Sequence, residues 1–145
     1  MKAILQRVQL GSVSVGGKKI AEIRAGLVIL LGIGPSDTEV EANKLALKLA
    51  QMRIFPDENG KMNLSLLDVG GEALVVPQFT LFADTKKGHR PSFVSAGPSE
   101  IAKPLTVYFA SVLRELGVPT QEGEFGAHML VEIHNDGPVT IEVEI

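Results

Sequence analysis

Apolar and polar residues alternate with a period of two at both ends of the chain, while the middle mixes continuous apolar runs with helical stripes. Residues 2–15 read as a strand with Ile4, Val8 and Leu10 on one face and Gln6 as a polar exception; Gly11 marks a bulge. Arg7 then falls on the opposite face, where a solvated surface arginine is the plain reading. Gly16-Gly17 supplies a two-residue turn into residues 18–23, a hairpin signal. Residues 26–33 form an apolar run bounded by glycines, as expected of a strand buried on both faces. At the C-terminal end, Met129, Val131 and Ile133 alternate with Leu130, Glu132 and His134. Beyond Asn135-Asp136-Gly137-Pro138, Val139, Ile141, Val143 and Ile145 alternate with Thr140, Glu142 and Glu144. The intervening Asn-Asp-Gly reads as a hairpin turn. Its proline removes a backbone donor at the mouth of a strand, so a second reading makes the turn's own backbone a binding surface.

Two stretches carry helical periodicity. Ser36 and Glu39 stand at capping-box spacing, ahead of a stripe formed by Ala42, Leu45, Ala46, Leu49 and Met52. Ser99 serves as N-cap of a second helix whose apolar face is Ile101, Leu105, Tyr108, Val112, Leu113 and Leu116, ended by Gly117; Pro104 lies early within it. Between the helices, Pro56-Asp57-Glu58-Asn59-Gly60 is a strong turn. Residues 74–81 begin as a buried strand, and Pro77 predicts an edge or bulge that presents Gln78, Phe79 and Thr80 at a sheet rim. Residues 84–93 form a basic loop. The order of strands, helix, strands, helix, strands predicts a mixed α/β fold of the α+β kind. Its core would be largely antiparallel and barrel-like, two packed sheets with two main helices outside.

Composition narrows the function more than the fold. A chain of 145 residues with 45% hydrophobic and 21% charged residues fits one globular domain, spanning residues 1–145. With no cysteine, disulfides and thiolate metal sites are excluded; His89, His128 and His134 lack metal-ligand spacing, and no cofactor is expected. No apolar run approaches the ~20 residues of a membrane span, and the N-terminus lacks a signal-peptide pattern, so the expected compartment is the cytoplasm. A net charge of −3 speaks against a general nucleic-acid coat but is compatible with gripping a short nucleic-acid end. Neither a membrane nor DNA is expected as a partner.

The familiar catalytic constellations are missing: no Gly-x-Ser-x-Gly, phosphate-binding loop or dinucleotide fingerprint occurs, and no carboxylate pair stands out. Thr80 offers a hydroxyl nucleophile, but a threonine needs a base to take its proton and none is evident beside it. What is left is backbone. Unpaired N–H groups at a sheet rim can stabilise an oxyanion, and unpaired carbonyls can wall a small rigid pocket.

Pro77-Gln78-Phe79-Thr80-Leu81 resembles the Ser/Pro-Gln-Phe-Thr-Leu motif of the D-aminoacyl-tRNA deacylases. Asn135-Asp136-Gly137-Pro138-Val139-Thr140 resembles that family's second motif. The similarity also takes in Gln6-Arg7-Val8, Arg53-Ile54-Phe55, Gly60-Lys61-Met62-Asn63, Arg90-Pro91-Ser92-Phe93 and Phe125-Gly126-Ala127. The resemblance implies a homodimeric enzyme that hydrolyses the ester linking a D-amino acid to the 3′ end of tRNA. It implies a cis Gly137-Pro138 bond inserted into the partner subunit's pocket as a chirality gate, held in place by Arg7. Gln78, Phe79 and Thr80 would line the ester as the catalytic stretch, with backbone N–H groups there stabilising the oxyanion, and Pro77 would contribute to substrate binding. Phe125 and Met129 would wall the pocket for the terminal adenosine. The tRNA 2′-hydroxyl would activate water, and glycyl-tRNA would pass the same gate. Two alternatives stand beside this reading: covalent catalysis by Thr80, and a non-catalytic module that binds an RNA end.

Overall fold

A computed structural model describes all residues, 1–145. Strand β1 (Lys2–Val15) organises the fold, because both of its edges are used along its length. On one side it pairs antiparallel with β8 (Met129–Glu144). On the other, its first half pairs with β3 (Gly26–Gly32) and its second half with β2 (Lys18–Ile23). Beyond β3 the sheet continues in parallel through β6 (Glu72–Pro77) to β7 (Thr120–Glu122). Gln121 curls the sheet towards closure: its Oε1 accepts from the Glu22 N–H at 3.1 Å and its Nε2 donates to the Glu22 carbonyl at 2.6 Å, joining β7 to β2. A small antiparallel pair, β4 (Phe55–Pro56) and β5 (Met62–Leu64), flanks the turn at 56–60. The antiparallel barrel-like core predicted from the sequence is borne out, with a parallel β3–β6–β7 segment added to it.

The core has two faces. Helices α1 (Glu39–Gln51) and α2 (Ser99–Glu115) cover one side of the sheet. There Leu45, Leu49, Phe109 and Leu113 pack with Ala3, Leu5, Ile29 and Val75. On the concave side, Val8, Val13, Ile23, Val28 and Leu74 meet within the sheet itself. The glycine-bounded run at 26–33 is buried along almost its whole length, as its unbroken apolarity requires. Gly26 allows β3 and β6 to approach: a Cβ there would sit 1.9 Å from the Glu72 carbonyl oxygen. Gly16 and Gly17, at φ 58° and 79°, make the expected two-residue hairpin turn. No helix is long and apolar enough to cross a membrane.

Several local expectations are corrected. Ala3, Leu5 and Arg7 of β1 point to the helix side, whereas Ile4 is only partly buried. A one-residue bulge at Gln9, where Val8 faces Asn135 and Leu10 faces His134, then shifts the phase, so that Val8 and Val13 share the concave core. Gly11 is not the bulge. It is in register with both Ile23 and Ile133, and is small because a Cβ would meet Val28 Cγ2 at 2.5 Å. Helix α1 is capped two residues later than expected, by Thr38 with Glu41. Thr38 Oγ1 accepts from the Val40 N–H at 3.2 Å, and Glu41 Oε2 accepts from the Thr38 N–H at 2.9 Å. Two overlapping Ser/Thr-x-x-Glu frames exist here. The later one prevails because Asp37 closes the preceding turn, its Oδ2 accepting from the Gly34 N–H at 2.6 Å. Pro98, not Ser99, is the N-cap of α2; its carbonyl accepts from Ile101 and Ala102 at 3.0 and 2.9 Å.

The largest correction concerns residues 135–140. They are not the turn of a hairpin, because β8 runs as one strand along the whole of β1. Gln6 faces Thr140 and Val8 faces Asn135, so residues 136–139 are extruded opposite Arg7 alone. Asn135 replaces the lost ladder: its Oδ1 accepts from the Val139 N–H at 2.8 Å and its Nδ2 donates to Thr140 Oγ1 at 3.0 Å.

Candidate active site

A cavity of about 260 Å3 opens at the C-terminal ends of the parallel strands β3 and β6. Its floor is sheet, from Leu31, Ile33, Val76 and Pro77. Ala102 and Thr106 of α2 close one side, and Phe125, Ala127, Met129 and Val131 close the other. Pro77 is the last residue of β6, beyond the part that pairs with β7, so the N–H it lacks breaks no bond to that neighbour. The Gln78 N–H then donates to the Leu31 carbonyl at 2.7 Å, which fixes where the chain leaves the sheet.

Residues Phe79–Phe82 follow as a single 3₁₀ turn, not as the continued strand expected to residue 81. The turn is closed by Leu81 and Ala83 donating to the Gln78 and Thr80 carbonyls at 3.3 and 3.1 Å. Phe79 and Thr80 open the turn, so their N–H groups have no partner within it, and neither donates to a residue outside the regular elements. Phe79 is 58% exposed and packs edge-on against Phe93, ring centroids 5.1 Å apart. This contact ties the basic loop to the rim of the cavity.

No carboxylate, imidazole or amine lines the cavity; its polar side chains are Gln78 and Thr106. Thr106 is buried and its hydroxyl donates to the Ala102 carbonyl at 2.8 Å, so it is committed to its own helix. The Thr80 hydroxyl accepts from Gln78 Nε2 and touches no base, and Thr80 is not among the lining residues. The displaced pKa values lie elsewhere. Hydrogen bonds from Thr38 hold Glu41 below the usual carboxylate range, and hydrogen bonds from Ser65 do the same to Asp68. The hydrogen bond to Glu22 raises Lys19. No group of three or more potential metal ligands occurs.

The structure therefore brings Pro77, Gln78, Phe79, Phe125 and Met129 together around one cavity. Arg7, Gly137 and Pro138 form a second centre that does not line the cavity of the same chain. Arg7 is 8% exposed, which overturns the solvated reading. Its Nη1 donates to the buried Ile54 carbonyl at 2.6 Å and its Nε to the Asp136 carbonyl at 3.0 Å. One guanidinium thus pins the extruded segment to the start of β4. Gly137 and Pro138 are exposed at its crest, joined by a cis peptide. Gly137 has φ 136°, and a Cβ there would lie 2.8 Å from Val139 Cγ2 and 3.1 Å from Arg7 Nη2, so the position demands glycine. Sequence reading missed Ala102 and Thr106, whose only signal is small side chains at i, i+4 on an otherwise bulky helix face. It also missed Ile54, which acts through a carbonyl that any residue would carry.

The sequence profile of the D-Tyr-tRNA(Tyr) deacylase family matches residues 4–144. A D-aminoacyl-tRNA deacylase of Roseiflexus sp. (strain RS-1) is 59% identical over 141 residues, covering 97% of this chain and 91% of the relative. One from Desulfatibacillum aliphaticivorans is 53% identical over 144 residues, covering 99% of each. Among solved structures, a c-Myc DNA Unwinding Element Binding Protein superposes with a TM-score of 0.94 at 44% identity, covering 100% of this chain and 99% of its own. A probable eukaryotic D-amino acid tRNA deacylase shares the fold, with a TM-score of 0.86 at 17% identity over 99% of this chain and 98% of that one. With a profile match over nearly its full length and relatives above half identity, this chain belongs to the D-Tyr-tRNA(Tyr) deacylase family.

Proposed function

We propose that the protein hydrolyses the ester of D-aminoacyl-tRNA, releasing the D-amino acid and free tRNA, and that it does so with backbone rather than side-chain chemistry. The observation that carries this reading is the cavity rim. Two N–H groups, of Phe79 and Thr80, open the 3₁₀ turn with no partner inside it, beside an apolar cavity that holds no acid, base or nucleophile. Ester cleavage passes through a tetrahedral oxyanion, and fixed N–H donors in a water-poor site stabilise that charge without reorganisation. Because the cavity offers no base, the attacking water is activated by the 2′-hydroxyl of the terminal adenosine, which arrives with the substrate. Thr80 as covalent nucleophile is disfavoured, since its hydroxyl is held by the Gln78 amide rather than by a proton acceptor.

Selectivity is assigned to Gly137 and Pro138 acting in trans. They are exposed and rigidly held, yet stand apart from the cavity of their own chain, and β8 leaves its outer edge without a strand partner. A second copy would bring this crest to the cavity, forming a homodimer with each gate in its partner. Carbonyls at fixed positions reject an L side chain sterically, whereas a D side chain points away. Glycine carries no side chain to reject, so glycyl-tRNA is a second substrate. The enzyme would act in the cytoplasm, where charged tRNA is used.

Purified protein incubated with D-tyrosyl-tRNA tests the proposal. Release of D-tyrosine well above the spontaneous rate is expected. Binding of the charged tRNA with the ester intact over hours contradicts it and leaves the RNA-end-binding module as the reading.

A further inference from the structure

A second concavity, of about 220 Å3, is formed by Lys2, Phe82, Ala83, Asp84, Lys86 and Ser95. It brings two ammonium groups and a hydroxyl together in a chain whose net charge is −3. Lys2 is the first residue of β1, opposite Gly32, and its Nζ stands 5.3 Å from the centre of the Phe82 ring and 3.7 Å from Glu144 Oε1. Lys86 comes from the basic loop, and its position is set at the loop's base. Asp84 and Ser92 exchange backbone hydrogen bonds of 2.7 and 2.9 Å, and Asp84 Oδ1 accepts from the Lys86 N–H at 2.9 Å. That bond commits one oxygen of the only carboxylate in the notch to the backbone. The Ser95 hydroxyl has no partner in the protein.

The notch shares a wall with the candidate active site. A Cβ at Gly32 would lie 3.1 Å from the Gln78 carbonyl and 3.1 Å from Phe82 Cε2, so a residue of the cavity and a residue of the notch meet over Gly32. Gly97 lines the cavity and Ser95, two residues earlier, lines the notch.

We infer that this notch holds a backbone phosphodiester of the single-stranded 3′ end of the substrate, with Lys2 and Lys86 as its cationic ligands and Ser95 as a neutral donor. The inference rests on the hydrolysis reading for the identity of its ligand: the notch adjoins the cavity that this reading assigns to the strand's terminal nucleotide. Lys87, His89 and Arg90 follow in the same loop and are exposed.

Each cation matched to a phosphate on a single strand contributes about 0.7 to the slope of log affinity against log salt. Both lysines serve one phosphodiester, so loss of the pair removes about 0.7 from that slope, or about 2.6-fold in the fall between 50 and 200 mM salt. The test compares wild type with the Lys2→Gln, Lys86→Gln double variant on D-tyrosyl-tRNA and on D-tyrosyl-adenosine, which has no phosphate. For the tRNA, kcat/KM should fall with salt about 2.6-fold more in wild type than in the variant between about 50 and 200 mM. The ratio of kcat/KM between the two substrates should drop in the variant at low salt. Equal salt slopes, or an unchanged ratio, overturn the inference. If the double variant does not fold, Lys86→Gln alone should flatten the salt dependence in the same direction, by less than the pair. Fluorescence anisotropy of a labelled ACCA oligoribonucleotide reads the same slopes without turnover. Failure of wild type to cleave either ester would thus strike the hydrolysis reading, while equal slopes in anisotropy would strike the notch.

Discussion

Arg7→Met removes the tie that holds the extruded segment of β8, and its cost follows from the bonds it breaks. The arginine makes two charge-assisted hydrogen bonds to backbone carbonyls, to Ile54 at 2.6 Å in a buried site and to Asp136 at 3.0 Å in a partly buried one. Each such bond contributes ~1.5–3 kcal/mol. Methionine keeps most of the packing volume, and relieving the burial of a guanidinium returns part of the loss. Water can reach the Asp136 carbonyl, but the Ile54 carbonyl is left without a donor. The net expectation is about 3 kcal/mol of lost stability, equivalent to ~6–12 °C in Tm for a chain of this size. Urea denaturation followed by circular dichroism, with calorimetry for Tm, measures it. Arg7→Lys should fall between, because one ammonium cannot copy the fork that reaches both carbonyls. A methionine variant within ~0.5 kcal/mol of wild type, the range of an ordinary surface change, would refute the claim that Arg7 holds this segment.

Three further outcomes follow from the site and the caps. Thr80→Ala should keep turning over D-tyrosyl-tRNA, measured by single-turnover assay; a loss of ~10⁴-fold or more, of the size seen when a covalent nucleophile is removed, would restore the covalent scheme. A substrate ending in 2′-deoxyadenosine should be cleaved ~10²–10⁴-fold more slowly, the span of a lost acid–base group, and an unchanged rate would remove the 2′-hydroxyl from the mechanism. In acid, Glu41 and Asp68 have folded pKa values lowered by hydrogen bonds from Thr38 and Ser65. Their stabilisation is fully present above the unfolded carboxylate values near ~4 and is lost as pH falls through the lower folded values. Thr38→Ala and Ser65→Ala should therefore each flatten the decline of stability below about pH 4, read by urea titration at stepped pH.

What the sequence reveals depends on whether a feature is local. The buried run of β3 and the stripe of α1 are legible because burial on two faces, or on one helical face, writes a period into neighbouring residues. The phase of β1 is not, because one extra residue at Gln9 moves Val13 onto the face shared by Val8, and no residue there announces the bulge. Asn135 to Thr140 contains good turn residues, yet β1 is long enough to pair on both sides of it, so tertiary pairing turns a hairpin signal into an extrusion. The overlapping caps at Ser36 and Thr38 are decided by Asp37, whose carboxylate is already engaged by Gly34. Strand β7 has three residues and no periodic signature. At the site, Pro77 and Gln78 are legible as a strand end, while the burial of Arg7 depends on a carbonyl 47 residues away.

The comparison of D- and L-tyrosyl esters on the same tRNA, at equal enzyme and under single-turnover conditions, bears most directly on a backbone-built chiral hydrolase. The rate ratio should approach ~10⁴, which corresponds to about 5.5 kcal/mol of differential transition-state stabilisation. A rigid steric gate can supply that, whereas a yielding pocket that distinguishes one methylene gives only ~1–3 kcal/mol. An L ester cleaved within about tenfold of the D ester, a difference of ~1.4 kcal/mol, would contradict the gate and with it the account.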